Sequence, residues 1–216
     1  MKKILLHICC GPCAITTVEH LQNEGFEVSG LFYNPNIHGA SEYLRRKEGA
    51  LEVAARLNFP LYVAPEPEYA PQEFFRAVTF KETNRCLFCY KLRLQKLFDL
   101  ARSGELGSYS HVSSSLLYSR YQRHQAILAI GQRLAMGQIN QNCPESEPAN
   151  LQVGCGSIAG EVGLSPEQAL PGPQFYYADF RAGWSRGITL SKKWGIYRQK
   201  YCGCLYSETE RCCAEA

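Results

Sequence analysis

A parallel α/β fold is what this sequence predicts, on three observations. Ile4 to Ile8 is an apolar run without alternation, as a strand buried on both faces reads. Gly11-Pro12 breaks the run, a helical pattern follows, and the alternation of strand and helix repeats through residue 64. A cysteine-rich turn, Cys9-Cys10-Gly11-Pro12-Cys13, stands at the carboxyl end of the first strand, where open α/β sheets place their ligands.

The elements follow in order. Pro12 suits a first helical position, where its missing N–H costs nothing. Ala14, Val18 and Leu21 recur at helical spacing, and Asn23-Glu24-Gly25 closes that helix. Phe26 to Tyr33 reads as a second strand ended by Asn34-Pro35-Asn36, Glu42 to Leu57 as a helix, and Leu61 to Ala64 as a third strand. This β-α-β-α-β order argues for right-handed crossovers in one parallel sheet. Pro71 to Val78 reads as a short helix. Leu94, Leu97, Phe98 and Ala101 fall on one face of a helix beginning near Cys86-Leu87-Phe88-Cys89. Val112 to Tyr118 reads as a strand and Tyr121 to Ala135 as a helix. Phe175 to Phe180 reads as a short strand with Asp179 at its end, and Leu190 to Trp194 as a helical turn.

A chain of 216 residues, 45% hydrophobic, fits one domain over 1–216. Residues from about 136 to 173 are rich in glycine and proline with weak periodicity, and read as an inserted loop or flap. Twenty-three basic residues against 20 acidic ones leave a net charge of +3, so any nucleic-acid footprint is local. The start, Met1-Lys2-Lys3 and a short apolar run, lacks the exit of a signal peptide. No stretch reaches the ~20 apolar residues of a membrane span. The reading is a cytoplasmic protein with no membrane partner.

Eleven cysteines, an odd number, cluster as CCxxC, CxxC, CxC and CC. Ligand spacing of this kind points to metal or redox chemistry in a reducing compartment. Cys9, Cys10, Cys86 and Cys89 are able to hold a 4Fe-4S cluster or a tetrahedral zinc. Adjacent cysteines suit separate cluster corners better than a zinc knuckle. The alternative is that some are buried free thiols packing as small hydrophobes. Cys13 is a spare thiol or the ligand of a second, more open metal, and the positive helix end beside it favours anionic ligands. Cys202-Gly203-Cys204 suits a strained, easily reduced disulfide, further metal ligation or free thiols. Cys212-Cys213 reads as a frayed tail. Asp179 is a candidate acid or ligand, or a solvated loop carboxylate, and His7 a core or near-site histidine rather than a ligand. Tyr118, Arg120, Tyr121 and Arg123 interleave aromatic and basic groups as a nucleobase and a phosphate backbone require, though a solvated helix start reads alike. Arg45-Arg46-Lys47, Arg198 and Lys200 widen a positive rim.

The sequence resembles the QueH family, the cobalamin-independent epoxyqueuosine reductases. The resemblance is carried by HICCGPCA at 7–14, YNPNIHGASEYLRR at 33–46, RCLFCYKLRL at 85–94, SSSLLYSRYQ at 113–122, YYADFRAGW at 176–184 and YRQKYCGCLYS at 197–207. It implies a HUP or PP-loop-like three-layer domain with its metal site at the carboxyl ends of the strands. It implies reduction of epoxyqueuosine in the tRNA anticodon to queuosine, with electrons from a donor the sequence does not identify. Cys9, Cys10, Cys86 and Cys89 would bind the cluster, and Cys202 and Cys204 would form a redox-active pair. An additional metal ion, iron or zinc, would use position 13, where many relatives have an aspartate and this chain has Cys13. The stretch at 136–173 is longer than the family's usual link. The rival readings are a zinc-stabilised RNA-binding module and a thiol–disulfide oxidoreductase built on Cys202 and Cys204. A PP-loop thiolation enzyme is disfavoured, because CCGPC stands where an S-G-G-x-D-S loop for ATP belongs.

Overall fold

The computed structural model describes residues 1–64, 69–138 and 172–214. Five strands, β1 (Lys2–His7), β2 (Phe26–Phe32), β3 (Leu61–Val63), β4 (His111–Ser114) and β5 (Gln174–Phe175), form one sheet in the order β3-β2-β1-β4-β5. Every pairing is parallel, and Ile4 lies opposite Val28 on one side and His111 on the other. Such a sheet needs cover on both faces. On one side α1 (Gly11–Asn23), α2 (Ala40–Arg56) and α6 (Trp184–Lys193) pack together through α1. On the other, α3 (Pro71–Val78) and α5 (His124–Ala135) pack on α4 (Arg85–Ser103). Between these layers Ile4, Leu5 and Leu6 of β1 are wholly buried. A last helix, α7 (Leu205–Ala214), follows the CxC segment.

The chain runs outward from β1 through β2 to β3, then crosses to β4 and β5, so the order reverses between β1 and β4. Ligands of open α/β sheets sit at this switch point, beyond the carboxyl strand ends. Cys9 and Cys10 leave β1 there, and Ser115 leaves β4 there. The turn into α1 lies tight against α2. A Cβ on Gly11 would fall 2.4 Å from the Gly49 carbonyl oxygen and 2.9 Å from Ile196 Cγ2, so the approach demands glycine.

Four elements differ from expectation. The fourth strand stops at Ser114 rather than reaching Tyr118. Ser114 Oγ accepts from the Leu116 amide and turns Ser115–Tyr118 into a 3-10 turn, as serine hydroxyls competing with a ladder do. The helix expected from Tyr121 begins at His124. The strand expected over 175–180 is two residues long, and Asp179 instead caps the turn Phe180–Gly183. The turn expected at 190–194 is the end of α6, hidden by Gly187, where a Cβ would meet the Tyr118 hydroxyl at 2.4 Å. Cys212 and Cys213, expected on a frayed tail, are exposed on the last turns of α7. Within the expected insertion, residues 139–171, with Cys143 and Cys155, lie outside the described residues.

Candidate metal centre

The β1–α1 turn builds the first part of the site. Cys10 is the N-cap of α1 in extended backbone, and Cys13 lies in the first turn. The sulfurs of Cys9, Cys10 and Cys13 all fall within 4.8 Å of one another. Cys10 and Cys13 Sγ are 2.9 Å apart, and Cys9 and Cys10 Sγ 3.8 Å. Ser115 Oγ accepts from the Cys9 amide at 3.0 Å and donates to Cys9 Sγ at 3.3 Å. From the C-terminal segment, Gln199 Nε2 donates to Cys10 Sγ at 2.8 Å, while its Oε1 is buried without a partner. Hydrogen bonds from Cys10 and Cys13 hold the Cys9 thiol well below its usual pKa, with Ser115 adding to them. Burial pushes Cys10 up, and the hydrogen bonds with Cys10 and Cys9, then burial, push Cys13 up. Beneath the turn, His7 is wholly buried between Ser114 Oγ at 2.9 Å and Asn34 Oδ1 at 3.2 Å. Desolvation and then the charge of Arg93 lower its pKa to about 4. It is a core histidine directly beneath the site.

A second thiol group faces the same cavity. Cys86 and Cys89 occupy the first turns of α4, and Cys202 and Cys204 the segment before α7. Cys204 Sγ accepts from the Ser207 amide at 3.4 Å, in the manner of a helix cap. Burial pushes Cys89 up to about 12 and also raises Cys86. Among the described residues Cys9, Cys10 and Cys13 are the one group of three or more ligating side chains that converges, and Cys86 and Cys89 line the cavity without joining that group. Cys202 and Cys204 stand as free thiols. The cysteine groups sit where α1, α4 and α7 begin, and helix N-termini favour anionic charge.

The cavity encloses about 660 Å³ and has an aromatic wall. Tyr118, buried, stacks on Trp184 with centroids 5.1 Å apart and donates to the Trp184 carbonyl at 3.0 Å. Tyr121, 84% exposed, meets the same indole edge-on at 5.9 Å, and the Arg120 guanidinium lies over it at 5.6 Å. Arg123, Arg198 and Lys200 also line the cavity. Arg46, expected on a positive rim, is instead 3% exposed. It pairs with Glu42 at 2.7 Å and donates to the carbonyls of Cys202 at 2.8 Å and Tyr201 at 3.2 Å, pinning the CxC segment. Asp179 does not line the cavity. Arg181 holds its carboxylate through Nε at 2.8 Å and Nη2 at 2.5 Å, and these bonds depress its pKa, so it keeps no proton to donate near neutrality. Ser115, Gln199, Trp184 and Arg93 escaped the sequence reading. Their signals were adjacency to the motifs, and for Arg93 a helical i+4 spacing from Cys89.

The fit to a soft metal group rests on the donor set: convergent thiols, with the buried guanidinium of Arg93 lining the same cavity to offset thiolate charge. Fold and site together define a parallel α/β protein with a cysteine cluster suited to metal. The family model for "Epoxyqueuosine reductase QueH" matches residues 4–145 and 158–210. Proteins of that name are similar along nearly the whole chain. The one from Dehalococcoides mccartyi is 32% identical over 209 residues, covering 97% of this chain and 94% of its own. The one from Acinetobacter baylyi is 30% identical, covering 95% and 80%, and that from Thermotoga maritima 29%, covering 98% and 93%. This chain belongs to the QueH family of epoxyqueuosine reductases.

Proposed function

We propose that this chain reduces epoxyqueuosine to queuosine in the tRNA anticodon, holding a 4Fe-4S cluster on Cys9, Cys10, Cys86 and Cys89. In this reading Cys13 adds the ligand for an adjacent iron or zinc, and Cys202 and Cys204 form a redox-active pair. The observation that carries it is the convergence of thiols from three distant segments on one cavity, in a chain of this family. The sheet order and switch-point site support the HUP or PP-loop-like assignment. The odd number of cysteines and their clustering at ligand spacing support a reducing, cytoplasmic setting. No described helix is long and apolar enough to cross a membrane.

Removing an epoxide oxygen as water takes two electrons and two protons. When bound, the metal groups supply single electrons and a Lewis-acidic centre. The chain's own residues do the rest. Tyr121 and Trp184 offer ring surface at the cavity mouth for a base splayed from the anticodon loop. Arg120, Arg123, Arg198 and Lys200 meet its phosphates. Tyr118 keeps its proton, since burial and then the thiols of Cys13 and Cys10 raise its pKa. Asp179 holds Arg181 beside this wall and leaves proton delivery to other groups. An unidentified partner supplies the electrons.

Anaerobic reconstitution with iron and sulfide, followed by nucleoside analysis of epoxyqueuosine-containing tRNA, tests the reading. Queuosine appears with wild-type protein, while Cys86→Ser and Cys89→Ser lose both iron and turnover. Full activity in an iron-free variant would sink the mechanism, and zinc alone in active protein would favour a different metal chemistry.

A further inference from the structure

We infer that Arg93 is the resident counter-charge of the thiol cavity, a positioning residue that sets how readily the bound cluster accepts an electron. The inference rests on the cluster reading above.

Arg93 is 1% exposed and among the largest fully buried side chains. A guanidinium stays charged in proteins, and burying a charge is costly unless an anion meets it. No ion pair joins Arg93 among the described residues. Its Nε donates to the Cys89 carbonyl at 3.2 Å, its guanidinium sits 5.8 Å from the Tyr90 ring centroid, and its buried Nη2 has no partner. Arg46 shows the contrast: nearly as buried, it has Glu42 and two carbonyls. Arg46 is satisfied by the chain itself, whereas Arg93 is not.

What Arg93 faces is the cavity it lines together with Cys9, Cys86, Cys89 and Cys202. One turn beyond Cys89 on α4, it occupies the helix face that carries that thiol. A four-thiolate cluster is anionic, and one-electron reduction makes it more so without adding a proton. A fixed cation at its side therefore favours the reduced state, net charge being one of the levers on cluster potential.

The test compares reconstituted wild type, Arg93→Lys and Arg93→Met by anaerobic dithionite titration, followed by absorbance and electron paramagnetic resonance. Arg93→Met should lower the one-electron reduction equilibrium about tenfold, a downward shift of ~59 mV, and Arg93→Lys should stay near wild type. Thermal unfolding of the metal-free proteins gives the second readout. With no anion to meet, the guanidinium keeps only the Cys89 carbonyl and the Tyr90 ring to offset its desolvation, so metal-free Arg93→Met should be at least as stable as wild type. Unchanged potentials in Arg93→Met, equal shifts in both variants, or failure of metal-free Arg93→Met to fold would each overturn the counter-charge role while leaving the cluster intact in wild type. A wild-type protein that takes up no cluster would overturn the reading of the site, and the inference with it.

Discussion

The two thiol groups of the cavity are built in different ways. Cys9, Cys10 and Cys13 ride on a strand end and one helical turn, fixed by the pairing of β1 with β2 and β4 and by Ser115. Cys86 and Cys89 begin α4, while Cys202 and Cys204 lie on a segment docked by contacts far away in sequence. Arg46 binds its carbonyls, the His38 amide donates to the Gly203 carbonyl at 2.9 Å, and the Leu205 amide donates to His38 Nδ1 at 2.8 Å. The triad is therefore assembled by the core of the fold, and the other half of the cavity by docking of the chain's C-terminal part. A site of this kind can keep the triad rigid while the C-terminal segment is adjusted separately.

The sharpest way to break that contrast is to cut the docking. Arg46→Met leaves Glu42 without its buried partner and frees two carbonyls. Breaking a buried pair costs about 3–5 kcal/mol, read by urea unfolding. Limited proteolysis should then cut near Tyr201 to Leu205 before it cuts the β1–α1 turn. Equal protection of both regions would show that the C-terminal segment does not depend on Arg46.

The complementary change strains the rigid half. Gly11→Ala places a methyl against the Gly49 backbone, which has no rotamer with which to yield. Overpacking of that kind costs about 1–3 kcal/mol. It should also weaken cadmium uptake by the metal-free protein, followed through thiolate-to-metal absorbance, because Cys10 and Cys13 flank the displaced residue. Stability and uptake like wild type would mean that α1 and α2 separate freely, and that the triad is less fixed than its hydrogen bonds suggest.

The same contrast governs what could be read in advance. Strands β1 to β3 and helices α1 to α4 were legible because apolar period and breakers agree there, as at Gly11-Pro12 and Asn34-Pro35. CCxxC was legible as one site because its residues are neighbours in sequence. That Cys86 and Cys89 share a wall with Cys202 and Cys204 was not legible, since only tertiary docking joins α4 to the C-terminal segment. Arg46 read as part of a positive rim and Arg93 drew no reading at all, because burial of a single arginine leaves no periodic signature. Asp179 read as a strand-end acid, and the capping competition that turns it toward Arg181 belongs to a two-residue edge strand too short to see. Helix α6 was obscured by Gly187, which is there for Tyr118.

A smaller effect separates the rigid half from the loop that presents Arg120, Tyr121 and Arg123. His124 ends that loop, buried, with Nε2–H donating to the Ser119 carbonyl at 3.1 Å and Nδ1 buried without a partner. Desolvation outweighs the Ser119 bond and lowers its pKa. The unfolded chain takes up a proton near the ordinary histidine value of about 6.5, which the folded chain resists. The contribution of His124 is therefore full above that value and declines as pH falls below it. His124→Gln keeps a donor for Ser119 but cannot titrate. It should flatten the fall in stability between pH 7 and 5, measured as urea midpoints, while leaving metal uptake by the triad unchanged. An unaltered slope would assign the acid sensitivity to other groups and show that the loop's anchor is protonated at little cost.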